Sequence, residues 1–510
     1  MGTAAMVSLA ACLAACATLP PLEGRTASLA LTDTDKTAIG EAVAPVVAAH
    51  PGKTGIHGLI LGSDAFAARM LLAAAAQKSL DVQYYIWHAD QTGYLLLEQL
   101  WRAARRGVRV RILLDDANTK GLDDTLATLA AHPNIEVRLY NPFVHRNARA
   151  IDYATDFARV YRRMHNKSFT ADNQVAVVGG RNIGNEYFGA GHEAEFRDLD
   201  VIAVGDAVKD VSSQFDLYWN SPSAYPAKRL LDDPGAAGTA RLEESFAALR
   251  EDPAALDYVR VVRVTPLLQQ LLDRRLALEW TRAEVVRDDP AKTLDTEGRT
   301  GTLLLTTLLQ KMGRPNTSFD LISPYFVPGD EGTETLAGLA RQGVRIRVLT
   351  NSLASTDVRV VHAGYAKRRC RLVQAGVQLY ELKLSGGTAP DEKSTFGSSG
   401  RTRLHAKTFA ADGTRIFVGS FNFDQRSAWI NTEMGLLIDS PELAQRLSSI
   451  FDEKVPSVAY AVQPGTDGRC VEWSERTAGG EVRHTVEPDT SATQRALIHL
   501  LSLLPIDWLL

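Results

Sequence analysis

The stretch MHNKSFTADNQVAVVGGRNIGNEY, residues Met164–Tyr187, determines how the rest of the chain is interpreted. It holds His165, Lys167 and Asp172 in the spacing H-x-K-x-x-x-x-D, and Asn182 follows after a pair of glycines. Two apolar runs flank a polar turn, which predicts two short strands joined in a hairpin. Residues two apart on a strand share a face. We therefore expect His165 and Lys167 to point the same way.

The same arrangement returns near the end of the chain as LHAKTFAADGTRIFVGSFNFDQRS. His405 follows His165 by 240 positions (405 − 165), and Lys407, Asp412 and Asn422 keep the same offset from their counterparts. One such match is weak, because short motifs have a high false-positive risk. Two complete copies in constant register indicate a duplicated site.

Imidazole beside ammonium suits a phosphate diester. Lysine donates to phosphate oxygens as a compact cation, and histidine can attack phosphorus or move a proton near neutral pH. The pairs Gly179–Gly180 and Gly419–Ser420 are predicted to remove bulk where backbone and phosphate approach closely. Asn182 and Asn422 add side-chain N–H donors for phosphate oxygens.

Four carboxylates accompany the two motifs. Asp172 and Asp412 complete them and count with the candidate catalytic set, although their place at the predicted turns favours a structural role. Glu433 follows the second motif in INTEMGLLI, and Asp198 takes the like position in FRDLDVIAV. A carboxylate beside each histidine would orient the ring and fix its tautomer. The alternative for both is an ordinary surface acid.

The 510 residues are enough for roughly two to four domains. A formal charge of −4 provides no global basic field of the kind that nucleic-acid binders usually carry. The four cysteines form no C-x-x-C metal site and no disulfide framework. One disulfide between Cys370 and Cys470 remains an open alternative. No metal ligands and no cofactor motif are predicted.

The first residues resemble a bacterial lipoprotein signal. Met1–Cys16 is apolar and contains two L-A-A-C runs, and Cys16 is the preferred lipidation site because the polar chain begins soon after it. No Lys or Arg precedes Cys16, unlike the basic start of most secretory signals. The alternative is an ordinary apolar terminus. Nothing else reaches the ~18–20 apolar residues of a spanning helix.

Predicted strands alternate with helices of about a dozen residues, which indicates layered α/β domains. The second half repeats the first beyond the motifs, since FDLISPYFV at 319–327 answers LDVQYYIW at 80–87. The predicted division is a lipoprotein-like signal at 1–16, a tether and short helix at 17–55, a first half at 56–220, an inter-half insertion at 221–298, a second half at 299–455 and a C-terminal extension with an apolar end at 456–510.

Three segments outside the motifs could contribute to function: the insertion, the loop before the second motif and the apolar chain end. The proline-punctuated insertion could also shape the substrate entrance. The Gly/Ser/Thr-rich loop at 383–403 is expected to be a mobile active-site loop. The apolar end ALIHLLSLLPIDWLL is too short to span a bilayer. It either docks on the core, which is favoured, or lies at a membrane interface, where Trp508 would be well placed.

The paired motifs with G-G-x-N and G-S-x-N resemble the phospholipase D superfamily. Within it, LDVQYYIWHAD, VRILLDDAN, VGGRNIGNEYFGAG, LTNSLASTDVRVVHAGYA and GSFNFDQRSAWINTEMG are similar to the bacterial cardiolipin synthase C branch, from about Gly55 to the end. The resemblance implies two pseudo-symmetric phospholipase D-like halves. Each would be a mixed β-sheet flanked by helices, with the motifs meeting at one central active site.

The resemblance also implies a two-step reaction without metal or cofactor. His165 would attack the phosphorus of a phosphatidyl donor and form a phosphohistidine. His405 would protonate the leaving alcohol and then deprotonate the incoming one, although the two histidines could exchange roles. The phosphate oxygens would be held by Lys167, Lys407, Asn182 and Asn422.

The expected reaction joins two phospholipids into cardiolipin, with phosphatidylglycerol as one partner and phosphatidylethanolamine or a second phosphatidylglycerol as the other. The motifs are equally compatible with a phospholipase D that uses water as acceptor. A nuclease of the same superfamily and an inactive lipid-binding lipoprotein are less favoured. The expected partners are phospholipids and a membrane surface, not nucleic acid. The expected location is a periplasm-facing lipoprotein, or a peripheral position on the inner membrane.

Overall fold

The computed structural model describes residues 18–191, 195–273, 275–295, 303–384, 402–466, 468–504 and 507–510. Cys16 and most of the predicted 383–403 loop therefore lie outside the described residues. The strands are β1 Thr54–Leu59, β2 Ser79–Tyr84, β3 Arg109–Asp115, β4 Ile135–Tyr140, β5 Ser168–Ala171, β6 Val175–Gly179, β7 Glu195–Arg197, β8 Asp200–Gly205, β9 Ala224–Pro226, β10 Glu279–Thr281, β11 Ala283–Arg287, β12 Ser318–Ile322, β13 Phe326–Val327, β14 Arg345–Asn351, β15 Gln378–Leu382, β16 Thr402–Leu404, β17 Thr408–Ala411, β18 Arg415–Gly419, β19 Phe423–Asp424, β20 Met434–Ile438, β21 Ala459–Pro464, β22 Val471–Thr477 and β23 Gly480–His484.

The helices flank these strands. They are α1 Ala38–Ala48, α2 Gly62–Ala75, α3 Gln91–Arg105, α4 Asp123–Ala131, α5 Arg149–Thr155, α6 Phe157–Val160, α7 Asn185–Phe188, α8 Asp206–Trp219, α9 Gly235–Glu251, α10 Pro253–Arg263, α11 Pro266–Leu272, α12 Leu304–Met312, α13 Gly329–Arg341, α14 Arg359–Gln374, α15 Gln425–Trp429, α16 Pro441–Glu453, α17 Val455–Val458 and α18 Ala492–Ser502.

Two large sheets carry the duplicated halves. The first has the order β10-β1-β8-β6-β5-β2-β3-β4-β9, and the second has the order β11-β20-β18-β17-β12-β14-β15-β21-β22-β23. In each sheet three central strands run parallel, β2-β3-β4 and β12-β14-β15, while the motif hairpins β5-β6 and β17-β18 pair antiparallel. The sheets are therefore mixed. The predicted fold of two pseudo-symmetric α/β halves is confirmed.

The central strands are buried on both faces, as expected for parallel strands covered by helices. Every residue of Ser79–Tyr84 is buried, including Asp81, which is partnered. In the first half Arg111 pairs with Asp81 (2.6 Å) and with Asp216 on α8 (2.8 Å), and its guanidinium lies 4.7 Å from the centre of the Phe215 ring. This buried arginine fixes the register of α8 against the sheet.

The second half repeats that device. Arg347 pairs with Asp320 (2.6 Å) and with Asp452 on α16 (2.6 Å), and its guanidinium lies 4.8 Å from the centre of the Phe451 ring. The carboxylate on α16 follows its counterpart on α8 by 236 positions (452 − 216). Helices α8 and α16 are therefore structural equivalents in known register.

The segment predicted as an inter-half insertion at 221–298 is partly built into the sheets. Its strand β10 pairs with β1 at the edge of the first sheet, and β11 pairs with β20 in the second. Only Arg282 separates these two strands, so the chain passes directly from one sheet to the other. The prediction missed these strands because both are short and only partly apolar.

The C-terminal extension also belongs to the second half. Strands β21, β22 and β23 extend the second sheet beyond β15. A disulfide joins Cys370 on α14 to Cys470, with Cα atoms 5.6 Å apart. The open alternative of a single disulfide is thus the one observed.

The chain end docks on the core through Ile498 and Leu510, which are buried against α14 and neighbouring residues. Of the helices described, none has the length and apolar composition required to cross a bilayer.

Candidate active site

The two motif histidines lie where segments of opposite halves run side by side. Met164 bridges to Thr432 in parallel, and the His165 backbone N–H donates to the Thr432 carbonyl (2.8 Å). On the other side β16 pairs in parallel with β7, and the His405 backbone N–H donates to the Arg197 carbonyl (2.8 Å). Both motifs therefore meet at the interface between the halves.

Each histidine takes its carboxylate from the opposite half. His165 Nδ1 lies 2.8 Å from Glu433 Oε2, and His405 Nδ1 lies 2.5 Å from Asp198 Oδ2. All four side chains are buried. The structure thus places a carboxylate beside each histidine, as the sequence predicts. The crossing between halves has no signal in the sequence.

This pairing fixes the tautomer of both rings. Because an ionised carboxylate only accepts hydrogen bonds, the neutral imidazole carries its proton on Nδ1. The lone pair of Nε2 is then available to attack phosphorus or to take up a proton.

The two histidine–carboxylate pairs differ electrostatically. Burial raises the pKa of Glu433 to about 7, against the opposing influence of Lys167 and of the Ser420 hydroxyl. Burial and the neighbouring ammonium groups of Lys167 and Lys407 hold the pKa of His165 well below its ordinary value. These effects favour the neutral imidazole at His165.

The second pair is more strongly charged. Burial alone would raise the pKa of Asp198, but His405 and Lys407 bring it down to about 2. Burial and Lys407 lower the pKa of His405, while Asp198 opposes that shift. Of the two rings, His405 therefore has the fully ionised partner that supports a transient imidazolium.

The motif lysines approach the same space. Lys167 Nζ donates to the His165 carbonyl (2.5 Å), and Lys407 Nζ donates to the His405 carbonyl. Burial, together with the proximity of Lys407, pushes the pKa of Lys167 well below its usual range, although Glu433 counteracts this. Burial lowers the pKa of Lys407 to about 8, partly offset by Asp198. An entering anion relieves this destabilisation of the two ammonium groups.

The glycine pairs make room for protein atoms rather than for substrate, which corrects the prediction. A Cβ on Gly180 would lie 2.2 Å from Asp198 Oδ1, and a Cβ on Gly419 would lie 2.4 Å from the Met434 carbonyl oxygen. The Ser420 hydroxyl, at the position equivalent to Gly180, donates to Glu433 instead. The glycines are thus required because a side-chain carboxylate or a neighbouring strand packs directly against their backbone.

The motif asparagines have different surroundings. Asn182 Oδ1 accepts from the Ile86 backbone N–H (3.1 Å), and its Nδ2 donates to the Tyr187 hydroxyl (3.1 Å). An amide nitrogen has two hydrogens, so a second bond to a phosphate oxygen is compatible with this arrangement. Asn422 is buried, and its Oδ1 has no hydrogen-bond partner within the described part of the chain.

Aromatic residues that the sequence analysis did not select frame the two imidazoles. The Tyr85 ring meets His165 edge-on, with centroids 4.9 Å apart, and Lys167 Nζ lies 5.3 Å from the centre of the same ring. Tyr187 and Phe196 each place their ring centroids 5.1 Å from that of His405. In the sequence, Tyr187 and Phe196 follow the first motif, and Tyr85 directly follows strand β2. These positions are their only signal in the sequence.

Residues from outside the motifs hold in place the segments that carry the two histidines. The Asp115 carboxylate accepts from the Met164 backbone N–H (2.8 Å), directly before His165. In the second half Asn351 Oδ1 accepts from the Leu404 backbone N–H (3.0 Å), directly before the other histidine. Strands β3 and β14 thus anchor equivalent points.

The predicted insertion also contributes to the site. Asp288 Oδ2 accepts from the Glu433 backbone N–H (2.8 Å) and pairs with Lys292 (3.0 Å). Both residues are buried. The segment therefore supports the carboxylate of the first histidine.

Asp172 and Asp412 do not join the other motif residues. Both adopt positive φ at the hairpin turns (51° and 53°). Asp172 accepts from the backbone N–H groups of Gln77, Lys78 and Ser79, at 2.7–3.2 Å. The Asp412 carboxylate accepts equivalent bonds from residues 316–318. These backbone partners support the structural role that the place of both residues at the turns favours.

We expect Asp172→Ala to destabilise the fold by about 2–3 kcal/mol, since three backbone N–H groups, among them that of the buried Ser79, lose their acceptor. The turnover of the protein that remains folded should be unchanged. Asp172→Asn is the matched control, because it retains an acceptor oxygen and tolerates positive φ. Urea unfolding and turnover normalised to the folded fraction test this, and a large loss of turnover at full stability would contradict the structural role.

Comparisons with known proteins agree with this geometry. A family model described as cardiolipin synthase, PLD-like domain, matches residues 71–219 and 308–455. Cardiolipin synthase C of Escherichia coli (strain K12) is 47% identical over 475 residues, covering 92% of this chain and 99% of that protein. An uncharacterized protein of Helicobacter pylori (strain ATCC 700392 / 26695) is 31% identical and covers 92% of each chain.

Among solved structures, a phosphatidylserine synthase from Haemophilus influenzae Rd KW20 aligns with a TM-score of 0.56 at 13% sequence identity. The alignment covers 92% of this chain and 99% of that one. At this identity the likeness concerns the fold alone.

Proposed function

Because the chain belongs to the cardiolipin synthase family with phospholipase D-like domains, we propose that it is a phosphatidyltransferase that makes cardiolipin from two phospholipids. One observation carries the proposal. Two buried imidazoles, each with its Nδ1 on a carboxylate of the opposite half, stand beside two lysines. Such a site can form and then resolve a covalent bond to phosphorus.

In the first step His165 Nε2 attacks the phosphorus of the donor lipid and a P–N bond forms. The P–O bond to the donor's alcohol breaks, and His405 gives its Nε2 proton to the departing oxygen. The negative phosphate itself favours the imidazolium of His405, which lies against the ionised Asp198. The lowered pKa of His165 fits the nucleophile, since an imidazolium has no free lone pair.

In the second step His405 Nε2 takes the proton of the acceptor hydroxyl. The acceptor oxygen forms the new P–O bond, and the P–N bond to His165 breaks. Lys167 and Lys407 stabilise the charge on the phosphate oxygens in both steps. Phosphatidylglycerol is the proposed acceptor through its glycerol hydroxyl, and phosphatidylethanolamine or a second phosphatidylglycerol is the proposed donor.

We expect turnover to fall as the pH is lowered through about 7. Glu433 becomes protonated there, and a neutral acid no longer stabilises the Nδ1–H group of His165 as an anion does. Glu433→Gln has no titrating group at this position, so its pH–rate profile should lack this acidic limb while its maximal rate is lower. If both profiles show the same limb, it belongs to another group.

The acceptor is tested directly with purified protein and phosphatidylglycerol labelled in its phosphate. Reactions with and without added phosphatidylethanolamine should both give labelled cardiolipin, and the added lipid should change the yield if it serves as donor. Release of labelled phosphatidic acid without cardiolipin would replace the proposal by a phospholipase D activity. The His165→Ala variant is the control for contaminating enzymes.

We further propose that the protein works at a membrane surface. Helix α18 carries a basic residue, Arg495, but no acidic one. Exposed leucines lie on the helix, at Leu497 and Leu500, and directly after its end, at Leu503 and Leu504. A contiguous apolar stripe on an amphipathic helix fits the interfacial region of a bilayer. The two alternatives for the chain end are thus compatible, since Ile498 docks on the core while the leucines face outward. The Trp508 side chain lies outside the described residues.

The proposed location is periplasmic, with lipidation at Cys16. The disulfide between Cys370 and Cys470 supports an oxidising compartment, because disulfides are rare in proteins that remain in the cytosol. Fractionation of cells that express the Cys16→Ser variant tests the anchor. Alkylation of whole-cell extracts before and after reduction tests the compartment, and quantitative alkylation without reduction would place the protein in the cytosol.

A further inference from the structure

The duplication allows the space behind one histidine to be compared with the space behind the other. In the first half the strand segment at Met164 is backed by a closed cluster of buried residues on β3, β4, β9 and α8. Its members are Leu113, Tyr140, Met164, Phe215, Tyr218, Trp219 and Ala224. The aromatic side chains of α8 fill this space.

The equivalent helix in the second half lacks these aromatic residues. The register that the buried arginines set gives an offset of 236, so Tyr218 corresponds to Lys454 and Trp219 corresponds to Val455 (218 + 236 and 219 + 236). The lysine is exposed and the valine is much smaller than tryptophan. The volume that Tyr218 and Trp219 occupy in one half is therefore not filled in the other.

A cavity of about 150 Å³ lies at this place. Its walls are mostly apolar and come from both halves, chiefly Leu199, Leu349, Leu404, Leu447, Ile450 and Val455. An apolar cavity of about this size can hold a small hydrocarbon ligand without water. It is thus large enough for the inserted part of an aliphatic chain.

The cavity reaches the second histidine from behind. Phe196 and Asp198 form part of its wall, and the same two residues contact the His405 ring. Leu404 and Ala406, which line it, alternate along the chain with His405 and Lys407. The cavity is therefore on the opposite face of this segment from the phosphate site.

The two exposed residues of the cavity lining are cationic, and Glu195 is a half-buried carboxylate in the same lining. Arg446 and Lys454 both line it and are exposed, and neither forms an ion pair with another residue in the described ranges. Leu443 and Ile450, between them on the same helix, are half-buried. An apolar interior with two unpaired cations at its rim matches an amphiphile with one chain and a negative head.

We propose that this cavity binds an aliphatic chain whose anionic head group lies on Arg446 and Lys454. The ligand is either a free fatty acid or one chain of an anionic phospholipid, since both offer this chemistry. Its chain packs against Phe196 and Leu404, behind the imidazole of His405. The site is separate from the reacting phosphate, so binding does not require the proposed reaction.

The first test fills the cavity. In Val455→Trp the residue found in the other half is introduced, and we expect binding of a fluorescent long-chain fatty acid to weaken at least ~10-fold, about 1.4 kcal/mol. Ser457→Trp is the matched control, because Ser457 is exposed on the same short helix and does not line the cavity. Equal binding by Val455→Trp and the unmodified protein would overturn the proposal, as would equal loss in both variants.

The second test concerns the rim and needs no change in the core. The double variant Arg446→Glu/Lys454→Glu should weaken binding of the fatty acid several-fold and leave binding of its neutral methyl ester unchanged. Equal effects on acid and ester would exclude the cationic rim as a head-group site. This variant also decides the matter if Val455→Trp does not fold, as judged by circular dichroism.

Two further arms separate the source of the ligand and the reaction. Competition of the bound probe by short-chain phosphatidylglycerol, but not by short-chain phosphatidylcholine, identifies an anionic phospholipid as ligand, and competition by fatty acid alone identifies the free acid. Failure of both to displace the probe would overturn the proposal. His165→Ala should bind the probe like the unmodified protein, so loss of the proposed activity and loss of this site are distinguishable.

Discussion

Replacing His165 with alanine is expected to reduce transfer by at least ~10⁴-fold, because it removes the imidazole proposed to form the covalent bond to phosphorus. His405→Ala should reduce turnover of natural lipids to a similar extent. Both variants should keep the fold, since the strands of the motif hairpins and their pairing are unchanged, and circular dichroism checks this.

The two variants should differ when the leaving group needs no proton. With a phosphatidyl ester of nitrophenol as donor, His405→Ala should still release nitrophenol in a single burst and accumulate phosphohistidine, whereas His165→Ala should give neither. Phosphorus NMR of the trapped protein identifies the adduct. His57→Ala, a half-buried histidine of β1 that bonds to the Ala277 carbonyl, is the matched control. A burst confined to His165→Ala would exchange the roles of the two histidines.

Asp198→Asn should lower kcat by roughly 10³-fold with little change in KM, because the amide keeps the shape of the side chain but removes the charge that supports the imidazolium of His405. Asp198 contacts His405 through Nδ1, whereas the proposed reaction uses Nε2 of that ring, so ground-state binding should be nearly unaffected. Steady-state kinetics near pH 7 on mixed micelles measures both constants.

Because the two carboxylates differ in pKa, the amide variants of Glu433 and Asp198 should differ in their effect on turnover. The pKa of Glu433 lies at about 7 and that of Asp198 at about 2, so near neutral pH Glu433 is only partly ionised. Glu433→Gln should therefore cost less than Asp198→Asn at that pH, and the difference should grow as the pH is lowered. Equal losses at all pH values would show that orientation of the rings, rather than charge, is what the carboxylates supply.

The motif residues of the site could be predicted from the sequence. Strand alternation depends only on neighbouring residues, and the constant offset of 240 reveals the duplication. His165, Lys167 and their counterparts were found in this way, as was the presence of two carboxylates. The crossing of Glu433 to His165 could not be predicted, since it depends on which segments of two separate sheets lie side by side. No periodicity records that contact.

The packing differences between the two halves could not be predicted from the sequence either. Lys454 and Val455 look like ordinary end-of-helix residues until the buried arginines give the register that matches them to Tyr218 and Trp219. Strands β10 and β11 were missed because they are stabilised by their sheets rather than by their own sequence. The glycine pairs were assigned to phosphate because their protein neighbours, Asp198 beside Gly180 and Met434 beside Gly419, lie outside the hairpins in which the pairs occur.

The exchange of carboxylates has a consequence for biosynthesis. The first half leaves the ribosome with His165 but without its partner Glu433, and with Asp198 but without its partner His405. Both histidine–carboxylate pairs can form only after the second half has been synthesised. Domains generally fold as units as they are synthesised. We therefore expect the nascent chain to have no transferase activity until its two halves have docked. The onset of activity would then mark the completion of that docking.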